Sequence, residues 1–165
     1  MVIFGFLKNM ANFNNKFASI RQDWNTPKVL FDKLNQEFNF ECDLAASKDN
    51  ALCQKFYTEQ DDGLKQKWTG ICWLNPPYGD KKSKMVDWIK KAYFETQDNP
   101  DLTVVMLIPS RTNTKWFANY CMKAAELKFI CGRPKFSDAK HGLPQPLILV
   151  VFKKSENTKF SSFYL

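Results

Sequence analysis

Apolar positions along the chain recur in two periods, and the changes of period mark the elements. Leu30, Leu34 and Phe38 follow Thr26-Pro27 at every fourth position, which predicts a helix opened by a capping hydroxyl and a first-turn proline. The period then drops to two. Phe38, Phe40 and Cys42 alternate with polar residues up to Asp43, predicting a short strand that ends on an acid. A short helical piece around residues 50–56, a brief strand near 56–58 and the acidic turn Asp61-Asp62-Gly63 come next. Ile71-Cys72-Trp73-Leu74 predicts a strand that runs straight into Asn75-Pro76-Pro77-Tyr78-Gly79, where two prolines forbid the ladder from continuing. Ser83 is placed to cap a helix carrying Met85, Trp88, Ile89, Ala92 and Tyr93 on one face. The apolar strand 102–108, ended by Pro109, follows. Trp116, Phe117, Tyr120, Cys121 and Ala124 have helical spacing, and strands at 127–131 and 147–152 flank a loop rich in glycine and proline.

Strands separated by helices imply crossover connections and a parallel sheet covered on both faces, a three-layer α-β-α arrangement. The last two strands have no helix between them, so they are expected to pair as an antiparallel hairpin at one edge. A mainly parallel sheet finished by such a hairpin resembles the class I (Rossmann-like) methyltransferase fold. With 165 residues, the chain is long enough for one core, and residues 19–165 are expected to form a single domain behind a loosely attached arm at 1–18. The longest apolar run, 147–152, is far short of the roughly 20 residues that a membrane-spanning helix requires. Five cysteines without a C-x-x-C pair, and His141 alone, fit neither a disulfide framework nor a zinc site. They read as buried, reduced thiols of a cytoplasmic protein, and no metal is expected. A formal charge of +7 favours a polyanionic partner, with Lys81, Lys82 and Lys84 just past the NPPY turn and Arg133, Lys135 and Lys140 in one later segment.

The NPPY turn suits a particular chemistry. An exocyclic amine on an aromatic base is a poor nucleophile because its lone pair is delocalised into the ring. Two acceptors that receive its two N–H bonds pull the nitrogen toward tetrahedral geometry and free the lone pair to attack an electrophilic methyl group. Asn75 offers a side-chain oxygen, Pro76 a backbone carbonyl, Pro77 a stiff turn and Tyr78 an aromatic face for the base. Both Asp43 and Asn75 fall at strand carboxyl ends, where open α/β sheets bind ligands.

Asp23-Trp24-x-Thr26-Pro27, Asp43-x-Ala45-Ala46, Asn50-Ala51-x-Cys53, Asp62-Gly63-Leu64, Trp68 and Trp73-Leu74-Asn75-Pro76-Pro77-Tyr78-Gly79 closely resemble the phage-type, Dam-like DNA N6-adenine methyltransferases. The likeness continues through Leu107-Ile108-Pro109, Thr112, Trp116-Phe117 and Gly132-Arg133-x-x-Phe136. The resemblance implies S-adenosylmethionine as cofactor and DNA adenine as substrate. It implies cofactor contacts at Thr26-Pro27, at Asp43 with Ala45 and Ala46, and at Asp62 for the cofactor's adenine ring. Lys82, Arg133 and Lys135 would then meet DNA phosphates, and Phe136 would be a second aromatic for the target base. Asp43-Leu44-Ala45-Ala46-Ser47 departs from the glycine-rich cofactor loop of methyltransferases in general. The cofactor has no phosphate to cradle, and alanines still admit close backbone approach.

The same turn suits other planar amines: cytosine N4, adenine in RNA, or a glutamine amide in a protein. The resemblance favours DNA adenine. C5 methylation of cytosine is disfavoured, since the chain has no Pro-Cys nucleophile motif. A non-catalytic nucleic-acid-binding module is the reading from a different class. Heat on titration with S-adenosylmethionine separates it from an enzyme.

Overall fold

Pro27 caps the first described helix, α1 (Lys28–Phe38), in extended geometry, and its carbonyl accepts the Phe31 N–H at 3.1 Å. The computed structural model describes residues 25–78, 84–134 and 145–165. The expected Thr26 hydroxyl cap is not made: α1 has no side-chain cap, and that hydroxyl is engaged elsewhere. Leu30, Phe31 and Leu34 form the buried stripe of α1. Asn39 ends the helix in the left-handed conformation (φ 57°), while the Asn35 side chain accepts the Phe40 N–H at 2.7 Å. This C-terminal closure keeps residues 38–40 out of the sheet, so the predicted strand shrinks to β1 (Cys42–Asp43).

The helical piece expected at 50–56 is a series of turns. Ser47 and Asn50 exchange local hydrogen bonds that compete with a helix, and β2 (Lys55–Phe56) follows. The strand β3 (Ile71–Leu74) leads through the NPPY turn to α2 (Met85–Asp98). The proposed cap Ser83 lies outside the described residues. At the start of α2 the Asp87 carboxylate accepts the Lys84 N–H at 3.3 Å. Beyond α2 come β4 (Thr103–Pro109) and α3 (Lys115–Asn119), which is capped by Thr114 and followed by a 3₁₀ turn at Cys121–Lys123. The chain ends with β5 (Glu126–Cys131), β6 (Leu147–Phe152) and β7 (Lys159–Tyr164).

Among the described residues, seven strands form one mixed sheet in the order β2-β1-β3-β4-β6-β5-β7. Pairing is parallel between β1 and β2, β1 and β3, β3 and β4, and β5 and β7; β6 runs against both β4 and β5. The β5–β6 hairpin is therefore present but not at the edge. All six residues of β6 are buried between neighbours, and β7, a half-polar strand that the hydrophobic pattern did not reveal, takes the edge. Alternating side chains split the core in two. Leu74, Met106, Ile108, Val150 and Phe152 face Trp88, Ile89, Ala92 and Phe117 of α2 and α3. Trp73, Val105, Leu107, Leu149 and Phe163 face Leu30, Phe31 and Leu34 of α1. Both faces are thus covered by helices.

Cys42, Cys72 and Cys121 are buried, whereas Cys53 is half-buried and Cys131 is exposed; all five are free thiols. The expectation of uniformly buried cysteines is corrected at Cys131, the last residue of β5, which lies past the end of the β5–β6 pairing at Phe129 and is paired only with Tyr164 of the edge strand. Among the described residues, no helix is long and apolar enough to cross a membrane.

Candidate active site

Parallel pairing of β1 with β3 aligns Asp43 with Trp73, so Asp43 and the turn that opens at Asn75 emerge side by side at the carboxyl end of the sheet. The Leu44 N–H donates to the Trp73 carbonyl at 3.0 Å and closes the gap between the two strands. The cleft above them is small, about 120 Å³, and partly open to solvent. Thr26, Asp43, Ala45, Asn75, Pro76 and Pro77 all line it.

At the turn, Pro76 is buried and Asn75 half-buried. The Asn75 Nδ2 donates to the Thr26 Oγ1 at 3.0 Å. The Tyr78 hydroxyl lies 2.8 Å from Asn75 Oδ1 and 3.1 Å from the Leu107 carbonyl of β4, with both oxygens as acceptors. Burial pushes the Tyr78 hydroxyl pKa well above its ordinary value, so it stays a proton donor at any working pH. Tyr78 is half-buried and is not among the cleft-lining residues.

Asp43 is 3% exposed. The Ala45 N–H reaches one of its carboxylate oxygens at 3.4 Å, and the Leu52 N–H reaches the other at 3.2 Å. Desolvation outweighs these two donors and raises its pKa from 3.8 to about 6.

The other expected residues are scattered. Pro27 sits at the head of α1 beside Thr26, and the Ala46 N–H is tied to the Tyr57 carbonyl behind the cleft. Asp62 does not line the cleft. It occupies a left-handed turn position (φ 52°), and its carboxylate meets Lys65 at 2.9 Å, which holds its pKa below the ordinary value. Arg133 is exposed just beyond β5, and Arg111 is exposed just beyond β4, its guanidinium 3.5 Å from Gln145 Oε1. Lys82, Lys135 and Phe136 lie outside the described residues.

Sequence reasoning missed Asn25, Asn50, Leu52 and Trp73 as cleft walls. Asn50 Nδ2 donates to Asn25 Oδ1 at 2.8 Å, a bond across 25 positions that no local pattern announces. Asn50 and Trp73 did stand among the motif residues, which was the one available signal.

The chain resembles known proteins over most of its length. It matches the family described as DNA N-6-adenine-methyltransferase (Dam) over residues 14–164. A DNA N-6-adenine-methyltransferase of Escherichia phage T1 is 33% identical over 115 residues, 68% of this chain and 46% of that protein. A protein of the same description from Haemophilus phage HP1 is 31% identical over 124 residues, 73% of this chain and 69% of that protein. The matched part thus spans about half of the first relative and about two-thirds of the second. With an NPPY turn and a buried acid facing one cleft, this chain belongs to the DNA N-6-adenine-methyltransferase (Dam) family.

Proposed function

We propose that the protein is an S-adenosylmethionine-dependent DNA methyltransferase of the class I, Rossmann-like fold that methylates the N6 amine of adenine. The observation that carries this reading is the shared cleft: Asn75, Pro76 and Pro77 line the same space as the buried acid Asp43. The reversed strand β6, inserted between β4 and β5 of an otherwise parallel sheet, supports the fold assignment.

The donor set fits the cofactor. S-adenosylmethionine combines a cationic amino acid end, ribose hydroxyls and an aromatic base, and the cleft offers a carboxylate at Asp43, amides at Asn25 and Asn50, and apolar walls at Leu52 and Trp73. Ionised Asp43 accepts from a hydroxyl or an ammonium, and Ala45 keeps the backbone approach open. When bound, the cofactor supplies an electrophilic sulfonium methyl group.

The protein's own residues prepare the nucleophile. Asn75 Oδ1 and the Pro76 carbonyl accept the two amine N–H bonds, and the prolines hold both acceptors rigid. Extrusion of the adenine from a duplex costs a few kcal/mol, which stacking on an aromatic side chain offsets at roughly 1–3 kcal/mol per base. Arg133, with Arg111 on the same rim, provides positive charge for backbone phosphates.

Purified protein incubated with methyl-labelled S-adenosylmethionine and separate DNA, RNA and protein substrates is expected to label DNA, at adenine N6. Label confined to RNA or protein defeats the reading. Asn75→Ala is expected to lower turnover about 10²- to 10³-fold, the cost of losing one polar group aimed at the reacting centre, while its circular dichroism matches the parent.

A further inference from the structure

Asn75 is held at both ends of its amide, by Tyr78 of its own turn and by Thr26 from the segment before α1. The Nδ2 end meets the Thr26 hydroxyl at 3.0 Å, just before α1. The Oδ1 end meets the Tyr78 hydroxyl at 2.8 Å, and that hydroxyl is braced at 3.1 Å by the carbonyl of Leu107 in β4. The Leu107 carbonyl only accepts, and the Tyr78 hydroxyl has a single proton, so Tyr78 shares that proton between two oxygens. Thr26 supplies a tether from outside the turn. Its backbone is held in turn, because Pro27 leads directly into α1 and its φ is fixed by its ring.

We propose that Thr26 is a positioning residue whose hydroxyl sets the orientation of the Asn75 amide for receiving the substrate amine. This rests on the methyltransferase reading above and differs from the cofactor role that the resemblance implies for Thr26. The physical reason is positional: the Thr26 hydroxyl holds the amide plane in place, and a swing of about 1 Å at a reacting centre costs on the order of 10²-fold in rate.

The test compares Thr26→Val, which keeps the shape and removes the hydroxyl, with Thr26→Ser, which keeps the hydroxyl. For DNA methylation, kcat in Thr26→Val is expected to fall about 10- to 100-fold, as for loss of a group that orients a first-contact residue, and Thr26→Ser recovers most of it. Dissociation constants for S-adenosylmethionine, measured by calorimetry, are expected to match the parent in both. An unchanged kcat in Thr26→Val, or a loss that appears in cofactor affinity alone, overturns the proposal.

A second measurement needs no turnover. In nitrogen-15 NMR spectra, the Asn75 side-chain amide protons are expected to shift toward solvent-like positions and exchange faster in Thr26→Val but not in Thr26→Ser. Unmoved Asn75 signals in Thr26→Val overturn the tether even if the protein proves to methylate another substrate. A parent protein that labels no DNA, yet shows the Thr26-dependent amide signals, fails the methyltransferase reading instead.

Discussion

Asp43 sits where two demands conflict. Its carboxylate is desolvated by burial, and the N–H groups of Ala45 and Leu52 compensate only in part, so the folded pKa rises from 3.8 to about 6. Between those values the folded protein holds a proton that the unfolded chain has released, so stability falls as pH rises through this window and the cost is full above about pH 6. The size is about 3 kcal/mol, and Asp43 is the one described group with a resolved shift that titrates there. Urea unfolding at pH 4.5 and pH 7.5 is expected to show the higher stability at pH 4.5, and the difference should shrink in Asp43→Asn. Cofactor affinity should run the opposite way and drop as pH falls through about 6, because a protonated acid no longer attracts a cation. An affinity flat from pH 5 to 8 would remove Asp43 from the cofactor site.

At the level of elements, the turn after β2 is pressed against the floor of the cleft. Asp61 and Asp62 donate their N–H groups to the Thr58 carbonyl, and the Gly63 carbonyl accepts the Trp68 indole N–H at 2.8 Å. A Cβ on Gly63 would lie 2.4 Å from the Leu44 carbonyl oxygen and 2.9 Å from the Trp88 ring. Gly63→Ala is therefore expected to cost about 1–3 kcal/mol in denaturant titrations by overpacking, and to weaken cofactor binding because Leu44 lies between Asp43 and Ala45. The elements themselves were unevenly legible in the sequence. β3, β4 and β6 are almost wholly apolar runs ended by prolines or turns, and their bounds match the expectation to within a residue. β7 escaped because Phe160 and Tyr164 stay exposed and Ser161 and Ser162 dilute the pattern, its strand character coming from pairing with β5. Likewise, the NPPY corner and Asp43 could be read as a site, since each ends a strand. Asn25, Asn50 and Leu52 could not, because only the folded chain brings them to the cleft.

Over the whole molecule, charge and topology share one rim. Residues 110–116 and 131–134, at the carboxyl ends of β4 and β5, include Arg111, Lys115 and Arg133 and no acid. Arg133→Ala is expected to weaken binding to DNA of any sequence and to reduce the slope of log affinity against log salt by about 1. An unchanged slope in fluorescence anisotropy would place Arg133 away from the phosphates.

Helix α1 reaches across this sheet. Thr26 at its head holds Asn75, while at the far end Glu37 pairs with Lys128 of β5 at 2.6 Å, and Lys33 reaches the Tyr164 carbonyl and lies over the Phe163 ring of β7. α1 thus works as a strut, bolted at one end beside the proposed reacting centre and at the other to the outermost strand. Fraying at that distant margin slackens the strut along its length. Methyl transfer should consequently fade on warming at temperatures where the far-ultraviolet signal of the sheet is still intact.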